Sequence, residues 1–339
     1  MTFSVGIIGT GFGAQVHVPI LQRHPDYSVM AISSMRPGRA EAEAQKYGIP
    51  SAYSNWRQML RDTLLDLVVI ATSPDHHHEM AAASLQAGIP VLCEKPPALN
   101  AAEMETLRNV SAQAGLVAAF NFEWRYLPER QKIGSILGSG QLGTIFHVHW
   151  SEAWPLWPRI RDEENSWQWQ KHKGGGMLGA VGSHMIDALL HWFGPFANIH
   201  GFTTNHVEQR KGPHGMEPST ADDSFFLHGT FKKGASFSLQ FITAAVVRKS
   251  VLEIFGSEGT LSLEGSELRC ALQPNKEFTA IQYDKPMDSS SFPRSIQPYI
   301  HAQWMLYNDL AKALAGRLPP SLPIVADALR VQEAMDLMR

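Results

Sequence analysis

The chain has 339 residues, of which 44% are hydrophobic and 18% are charged, and its formal net charge is −3. This length fits two domains, and the composition is that of a core-forming globular protein rather than a disordered one. The charge gives no support for binding to nucleic acid or to an anionic membrane. Cys93 and Cys270 are the only cysteines, so no disulfide or zinc framework is predicted, and a reducing cytoplasm is the simplest location. No apolar run reaches the length of a membrane span or of a secretory signal.

Strand-like and helical segments alternate through the first 120 residues. Strands are predicted near 3–8, 28–33, 66–72, 90–93 and 116–120. Helices are predicted near 14–23, 37–47, 55–62, 76–87 and 101–114. This alternation is typical of a doubly wound parallel sheet, so residues 1–120 are predicted to form an α/β Rossmann domain.

Strands dominate the rest of the chain. A helix near 128–137 comes first, and helices near 297–316 and 323–338 come last. Strands are predicted near 145–153, 199–208, 224–231, 235–244, 249–255, 259–263, 267–272 and 277–283. Short glycine-containing loops make hairpins of 224–231 with 235–244 and of 249–255 with 259–263. Residues 121–339 are therefore predicted to be an α+β domain with a largely antiparallel sheet.

A glycine-rich turn follows the first predicted strand. Gly9, Gly11 and Ala14 fit the G-x-G-x-x-G/A fingerprint between a strand and a helix, which is the context that the fingerprint requires. Gly9 permits a tight turn, and Gly11 lets the backbone approach a pyrophosphate at the helix N-terminus. We predict that a dinucleotide binds to Gly9, Thr10, Gly11, Phe12, Gly13 and Ala14. The alternative is a βα turn without a ligand.

The end of the second predicted strand indicates which dinucleotide is bound. An NAD-binding protein usually has Asp or Glu here for the ribose 2′-hydroxyl. This chain has Ser33 and Ser34, followed by Arg36 and Arg39. Hydroxyl and guanidinium groups bind a 2′-phosphate that a carboxylate would repel. We therefore predict that NADP(H) is preferred and that NAD(H) is possible; the alternative is that both arginines are ordinary solvated residues.

Lys95 is the first candidate for catalysis. It follows the strand near 90–93, at the carboxyl edge of the predicted sheet, where ligands bind in open α/β folds. There a lysine can hydrogen-bond a substrate hydroxyl or ketone oxygen beside the nicotinamide. Glu94 would orient it, and Pro96 restricts the local chain direction. The competing interpretation is a solvated loop lysine, as most lysines are.

His184 is the second candidate. It lies in an apolar helix that follows three glycines at 174–176, and histidine suits proton transfer near neutral pH. It could equally be a core histidine whose hydrogen bonds are satisfied. Asp187 fits a solvated helix residue better than a partner of His184.

Aromatic residues are concentrated at 150–169, which contains five of the nine tryptophans. Aromatic faces suit sugar rings, so Trp167 is a candidate for substrate binding, with Arg125 and Tyr126 upstream. A satellite core or an oligomer interface is an equally good interpretation. The consecutive histidines at 76–78 point in different directions without partners at ligand spacing, so no metal site is predicted.

Taken in order, these motifs resemble those of the glucose–fructose oxidoreductase/inositol dehydrogenase/MocA (Gfo/Idh/MocA) family. The resemblance covers essentially the whole chain. The matching features are Gly9-x-Gly11-x-x-Ala14, Thr72-Ser73-Pro74…His78, Ala87-Gly88-x-Pro90-Val91-x-x-Glu94-Lys95-Pro96, Asn121…Arg125…Pro128, Gly140-x-Leu142-Gly143 and Gly174-Gly175-Gly176…Gly182-x-His184.

The resemblance implies a Rossmann domain followed by an open-faced sheet that often mediates oligomerisation, here into a dimer or tetramer. It also implies nicotinamide-dependent redox chemistry on sugars, inositols or related polyols. Lys95 is then the catalytic lysine and His184 the site histidine. The further residues implied are Asn121 and Arg125 towards the substrate and Thr72, Pro74, His78, Glu94 and Pro96 towards the cofactor.

One position departs from the family pattern. Members that oxidise polyols usually carry Asp four residues before the histidine, and here that residue is Ala180. Alanine can neither take a proton nor orient a hydroxyl, and a positioned acid–base group typically contributes about 10²- to 10⁴-fold to the rate. Either His184 and Lys95 suffice, or the substrate needs different help, or catalysis has been lost.

We therefore predict a cytoplasmic, NADP(H)-preferring oxidoreductase that acts on a carbohydrate-like secondary alcohol or its ketone. Lys95 would stabilise alkoxide charge on the reacting oxygen, and His184 would share or relay the proton. Its partners would be a small carbohydrate-like substrate and further copies of itself. Two alternatives stay open: glycoside cleavage assisted by tightly held NAD, and a non-catalytic dinucleotide-sensing regulator.

Overall fold

The computed structural model describes residues 2–338. Its α-helices are α1 Val18–Leu21, α2 Arg39–Tyr47, α3 Trp56–Asp62, α4 His77–Gln86, α5 Ala101–Ala114, α6 Pro128–Ser139, α7 Arg159–Asp162, α8 Ser183–Phe193, α9 Gln297–Leu314 and α10 Val325–Asp336. Its strands are β1 Phe3–Ile8, β2 Tyr27–Ser33, β3 Ser51–Tyr53, β4 Leu67–Ile70, β5 Val91–Cys93, β6 Ala118–Phe120, β7 Ile145–Pro155, β8 Phe196–Thr204, β9 Gln209–Gly212, β10 Gly215–Pro218, β11 Ser224–Phe231, β12 Ser236–Ile242, β13 Ala244–Gly256, β14 Gly259–Glu264, β15 Glu267–Leu272 and β16 Thr279–Ala280. None of the helices within residues 2–338 is long and apolar enough to span a membrane.

The chain folds into two compact units that differ from the division drawn on the sequence. The first unit contains residues 2–126 and Pro286–Gln332, and the second contains Leu127–Lys285 and 333–338. The sequence instead assigns everything after residue 120 to the second domain. The difference arises because α9 packs into the first unit, where Tyr307 is buried and its hydroxyl lies 2.7 Å from His17 Nδ1.

The first unit is built on a parallel sheet with the strand order β3-β2-β1-β4-β5-β6. Every residue of β4 is buried, as expected of a central strand in a parallel sheet with both faces covered. The strand order reverses between β1 and β4, so the loops after these strands flank a topological switch point, where ligands bind in open α/β sheets. The predicted Rossmann fold is confirmed.

Local structure in the first unit differs from the sequence assignment at two places. The sequence does not predict β3, because Ser51-Ala52-Tyr53 is short and lacks an apolar run. The helix predicted at 14–23 is instead a π-helical turn, Gly13–His17, followed by the short α1. The π-helical turn buries Val16 and His17 next to each other.

The second unit is built on a mixed, largely antiparallel sheet with the order β16-β15-β14-β13-β7-β12-β11-β8. β7 and β12 pair in parallel, and the other neighbouring strands are antiparallel. Alternate residues such as Val148, Trp150 and Phe237 are buried on one face. The Trp150 ring stacks on Trp192 of α8, with 6.3 Å between the ring centroids. The predicted α+β architecture with a largely antiparallel sheet is confirmed.

Both predicted hairpins are present, as β11 with β12 and β13 with β14. The sequence does not predict the hairpin of β9 and β10, whose residues, apart from Gln209 and Met216, are charged, glycine or proline rather than alternately apolar. The strand predicted at 277–283 is reduced to β16, whose two residues are exposed and therefore gain little from burial.

Candidate functional site

The glycine turn after β1 is packed tightly on one side and open on the other. Gly9 has φ +117° and its N–H donates to Ser33 O at 2.9 Å. A Cβ atom at Gly9 would clash with Ala71 O, and one at Gly13 would lie 3.0 Å from a methyl of β1. Gly11 is exposed, and a Cβ atom there would meet no protein atom within 4 Å. Gly9 and Gly13 are thus required for packing, whereas the open side at Gly11 fits the approach of a pyrophosphate.

The end of β2 presents hydroxyl and guanidinium groups beside the glycine turn. Ser34 Oγ accepts hydrogen bonds from Arg36 N at 3.2 Å and from Thr10 Oγ1 at 3.4 Å. Ser33 is buried, whereas Arg36 and Arg39 are exposed. Ser34 is therefore the serine whose side chain contacts the turn, and the exposed guanidinium groups can bind an anion.

A buried histidine joins the loop after β4 to the loop after β5. His77 Nδ1 lies 2.9 Å from Pro96 O, and its Nε2 lies 3.1 Å from Thr72 O. Burial lowers the pKa of His77, although the two carbonyl oxygens favour the protonated ring. His78, which the sequence assigned to the cofactor side, is only partly buried. The sequence contains a signal for His77, because it shares the buried face of α4 with residues three, four and seven positions later, Met80, Ala81 and Ser84.

Glu94, directly after β5, is a buried carboxylate surrounded by donors. Its Oε1 lies 2.9 Å from His17 Nε2 and accepts from Asn121 Nδ2 at 2.5 Å. Its Oε2 accepts from the backbone N–H of Lys95 at 3.2 Å. Burial alone would raise the pKa of Glu94, but the hydrogen bonds and positive charges of its neighbours outweigh burial and lower it. Glu94 is therefore ionised at neutral pH.

Lys95 is half-buried and begins the loop at the carboxyl end of β5. Its backbone N–H is held by Glu94, and its peptide bond to Pro96 is cis. In the strand order, β5 lies beside β4 and next but one to β1, which carries the glycine turn. Lys95 thus occupies the edge of the parallel sheet at which dinucleotide-binding folds place their ligands.

Three residues that the sequence assigns to substrate binding are buried in the first unit. Each contacts the segment 286–332: Asn121 pairs with Gln303, Arg125 Nη2 lies 3.6 Å from Asp327 Oδ2, and Tyr126 Oη donates to Asp309 at 3.0 Å. These contacts tie the residues after β6 to the C-terminal part of the chain. Their role in substrate binding stays a prediction.

In the second unit, His184 lies in the first turn of α8 and is 2% exposed. The π-helical turn Leu178–Gly182 leads directly into this helix. Ala180 is partly exposed within that turn, about one turn before His184. The sequence prediction for Asp187 as a solvated residue is wrong, because Asp187 is 1% exposed within the apolar helix.

Two of the three glycines before α8 accommodate other parts of the protein. A Cβ atom at Gly175 would clash with the carbonyl oxygens of Trp167 and Gln168. A Cβ atom at Gly176 would clash with the Asp222 carboxylate, which accepts from Leu178 N at 2.7 Å. Asp222 therefore satisfies a backbone donor at the start of the segment that carries His184. The sequence offers no local signal for this contact, since 44 residues separate its partners.

The tryptophan-rich segment contains both core and accessible rings. Trp169 is buried, and the Arg210 guanidinium lies 3.7 Å from its ring centroid. Trp167, the predicted substrate-binding residue, is only partly buried. Part of this segment is thus a satellite core, which was one of the two interpretations of the sequence. Across residues 2–338, no group of three or more His, Cys, Asp or Glu side chains is placed to hold a metal ion.

Comparison with known proteins identifies both halves of the chain. Residues 3–122 match the model of an oxidoreductase family with an NAD-binding Rossmann fold, GFO_IDH_MocA. Residues 130–262 match the model of the GFO/IDH/MocA C-terminal domain.

Individual relatives extend over most of the chain. An uncharacterised oxidoreductase of Synechocystis sp. is 32% identical over 330 residues, which is 95% of this chain and 84% of the relative. The D-glucoside 3-dehydrogenase of Escherichia coli is 27% identical over 318 residues, 88% of this chain and 86% of the relative. A levoglucosan dehydrogenase in complex with NADH has the same fold, with a TM-score of 0.88 at 22% identity, covering 100% of this chain and 96% of that one.

The glycine turn gives a paired prediction. Gly9→Ala should destabilise the protein by about 2 kcal/mol or more, because it combines a positive φ with a clash against Ala71 O. Gly11→Ala should leave stability unchanged but weaken dinucleotide binding, because its Cβ would occupy the open side of the turn. Thermal unfolding without cofactor and fluorescence titration with cofactor measure the two effects. Equal stability losses in both variants would contradict this division of roles.

Proposed function

Since this chain belongs to the GFO/IDH/MocA oxidoreductase family, we propose that it transfers hydride between a nicotinamide cofactor and a secondary alcohol of a sugar, inositol or related polyol, or the corresponding ketone. The chain is an NAD(P)-dependent oxidoreductase. The proposal of a carbohydrate-like substrate is supported by relatives named as D-glucoside and levoglucosan dehydrogenases.

The observation that carries the proposal is the geometry at Lys95. This lysine follows β5 at the ligand-binding edge of the sheet, and its backbone N–H is fixed by the buried, ionised Glu94. A primary amine at this edge is suited to donate a hydrogen bond to a reacting hydroxyl or carbonyl oxygen. The open side of the glycine turn at Gly11 fits the pyrophosphate of the cofactor.

The residues of this chain would manage the proton while the bound cofactor accepts or donates hydride at carbon. In oxidation, the substrate C–H bond breaks with its electron pair and the O–H proton leaves, so that a ketone forms. Lys95 would stabilise the alkoxide-like charge that develops on oxygen. His184 would accept or relay the proton, and reduction would follow the same steps in reverse.

Ala180 limits how the proton can move. Because its methyl group has no acid–base function, no side chain at this position can share the work of His184. The partial exposure of Ala180 leaves room for water or a substrate hydroxyl at the site of the missing carboxylate. We propose that His184 acts without a helix-borne acid partner at position 180.

We propose that the cofactor preferred is NADP(H). Ser34 stands beside the glycine turn, and Arg36 and Arg39 are exposed next to it. Hydroxyl and guanidinium groups fit a 2′-phosphate, whereas the carboxylate that usually binds the ribose is absent from this strand end.

We propose that the protein is a cytoplasmic homo-oligomer, a dimer or tetramer, joined through the sheet of the second unit. Phe202 of β8 is 57% exposed and stacks on its neighbour Phe226 within this sheet, which leaves apolar surface for a second copy. Both cysteines are free and buried, in keeping with a reducing compartment. Light scattering of the purified protein gives its oligomeric state.

The reaction and the role of Lys95 are tested together. A panel of sugars, inositols and keto-sugars, assayed with both nicotinamide cofactors, should contain a substrate. With that substrate, Lys95→Ala should lower kcat by roughly 10²-fold or more while cofactor affinity changes only a few-fold. The exposed Lys46→Ala is the control and should behave as wild type. Turnover of the Lys95 variant near the wild-type rate would overturn its catalytic role.

The cofactor proposal predicts tighter binding of NADPH than of NADH in fluorescence titrations. Ser34→Asp should shift this preference towards NADH, because a carboxylate repels the 2′-phosphate and binds the ribose hydroxyls. Ser28→Asp, at the exposed opposite end of β2, adds the same charge and should leave the preference unchanged. Tighter NADH binding by the wild type would contradict the proposal.

The proton pathway predicts a distinct effect of His184→Ala. The rate should fall by roughly 10²-fold or more, because position 180 offers no replacement. The pH–rate profile should also lose one limb, since free imidazole titrates at about pH 6.5. His191→Ala, on the exposed side of the same helix, is the control. An unchanged rate and profile in His184→Ala would make His184 a packing residue and would favour a regulatory role for the protein.

A further inference from the structure

We propose that His17 is a positioning residue for the reaction at Lys95, and that it acts through the Glu94 carboxylate. The proposal deepens the function proposed above and rests on it. His17 has no part in the motifs that the sequence analysis used, and it stands in the π-helical turn that follows the glycine turn. One short segment would thus serve both the cofactor and the catalytic lysine.

The direction of the hydrogen bonds around His17 is fixed by chemistry. An ionised carboxylate only accepts, so His17 Nε2, 2.9 Å from Glu94 Oε1, carries a proton and donates it. In the neutral ring, Nδ1 then accepts from the Tyr307 hydroxyl at 2.7 Å. Burial raises the pKa of Tyr307 well above its usual value, which keeps this hydroxyl protonated. Every polar atom of the neutral imidazole is satisfied in this arrangement.

A pair of amides supplies the second donor to the carboxylate. Gln303 Nε2 donates to Asn121 Oδ1 at 2.9 Å, and Asn121 Nδ2 donates to Gln303 Oε1 at 3.1 Å. An ionised carboxylate only accepts, so the nitrogen end of the Asn121 amide faces Glu94, and Nδ2 donates to Glu94 Oε1 at 2.5 Å. Oε1 therefore receives two side-chain donors.

The two oxygens of Glu94 consequently perform different tasks. Oε1 is held by His17 and Asn121, while Oε2 accepts from the backbone N–H of Lys95. Because Oε1 is held by donors from two other elements, the carboxylate plane cannot rotate without breaking at least one buried hydrogen bond. The start of the Lys95 loop is thereby fixed against the core of the first unit. Loss of the His17 donor would leave a buried charge poorly compensated and would favour protonation of Glu94.

The ionisable groups around Glu94 come from each element packed against it. The charge of Glu94 acts on Tyr299 and Tyr307 of α9, His77 of α4 and Cys93 of β5. The side-chain hydrogen bonds that lower the pKa of Glu94 come from His17 and Asn121, and the nearby charge of Lys95 lowers it further. His17 is thus the titratable side chain whose removal most directly changes the ionisation of Glu94.

The test compares His17→Leu with His17→Gln. The kcat/KM profile should have a lower acid limb set by Glu94, on the acid side of the limb set by His184. The leucine variant loses the donor to Glu94, so this lower acid limb should move up by about one pH unit, the equivalent of one hydrogen bond. In this variant kcat should fall at least 10-fold at neutral pH, with cofactor affinity changed less than three-fold. The glutamine variant keeps an amide donor and should retain the wild-type limb. Superimposable profiles of wild type and leucine variant, or equal shifts in both variants, would overturn the proposal.

Tyr307→Phe and Tyr27→Phe form a second matched pair. Each removes one buried hydroxyl from the same aromatic cluster, but the Tyr27 hydroxyl donates to Tyr307 O and does not touch His17. Tyr307→Phe should shift the acid limb in the same direction as His17→Leu, by a smaller amount, and Tyr27→Phe should not shift it. A shift of equal size in both would show a general effect of packing and would contradict the proposal.

A cycle of unfolding measurements tests the pairing without any substrate. His17→Leu, Glu94→Gln and the double variant should show non-additive losses of stability, because the two side chains contact each other. Additive losses would overturn the pairing of His17 with Glu94. A wild-type protein that turns over no member of the substrate panel would instead contradict the function proposed above, so the two failures are distinguishable.

Discussion

The ionised carboxylate of Glu94 is the group on which the first unit depends most. A carboxylate that is 7% exposed is unstable unless donors replace the water that it has lost. Here the donors come from three separate parts of the chain: the turn after β1, the loop after β5 and the segment after β6. The hydrogen bonds to this one charge therefore connect the glycine turn with the loop that begins at Lys95. Through the Asn121–Gln303 amide pair and the contact of His17 with Tyr307, they also connect both to helix α9.

The two units share a local arrangement in which a π-helical turn stands next to a buried histidine. The turn Gly13–His17 contains His17, and the turn Leu178–Gly182 leads into His184. π-helical turns are rare and are frequent at functional sites. Gly9 precedes the first of these turns and Gly175 and Gly176 precede the second, and none of the three has room for a Cβ atom.

The sequence predicts the parts of the structure that depend on local pattern. Alternating apolar segments suffice for the Rossmann sheet, and glycine-containing loops suffice for the hairpins β11/β12 and β13/β14. Short polar strands such as β3 and β9 are missed, because neighbouring strands rather than their own residues stabilise them. The candidate residues were found from motifs, but their partners were not. His17 and Tyr307 meet across 290 positions of sequence, and no local pattern encodes such a pairing.

Because α9 belongs to the first unit, the order of synthesis affects how this unit folds. The ribosome releases the parallel strands long before Tyr307 and Gln303 emerge, yet these residues complete the hydrogen bonds around His17 and Asn121. Contacts between such distant positions form late and slow folding. Until then His17 and Asn121, which donate to Glu94, lack their hydrogen bonds with Tyr307 and Gln303. The Rossmann unit is thus finished only after the intervening sheet has been synthesised, and the order of synthesis links the maturation of the two units.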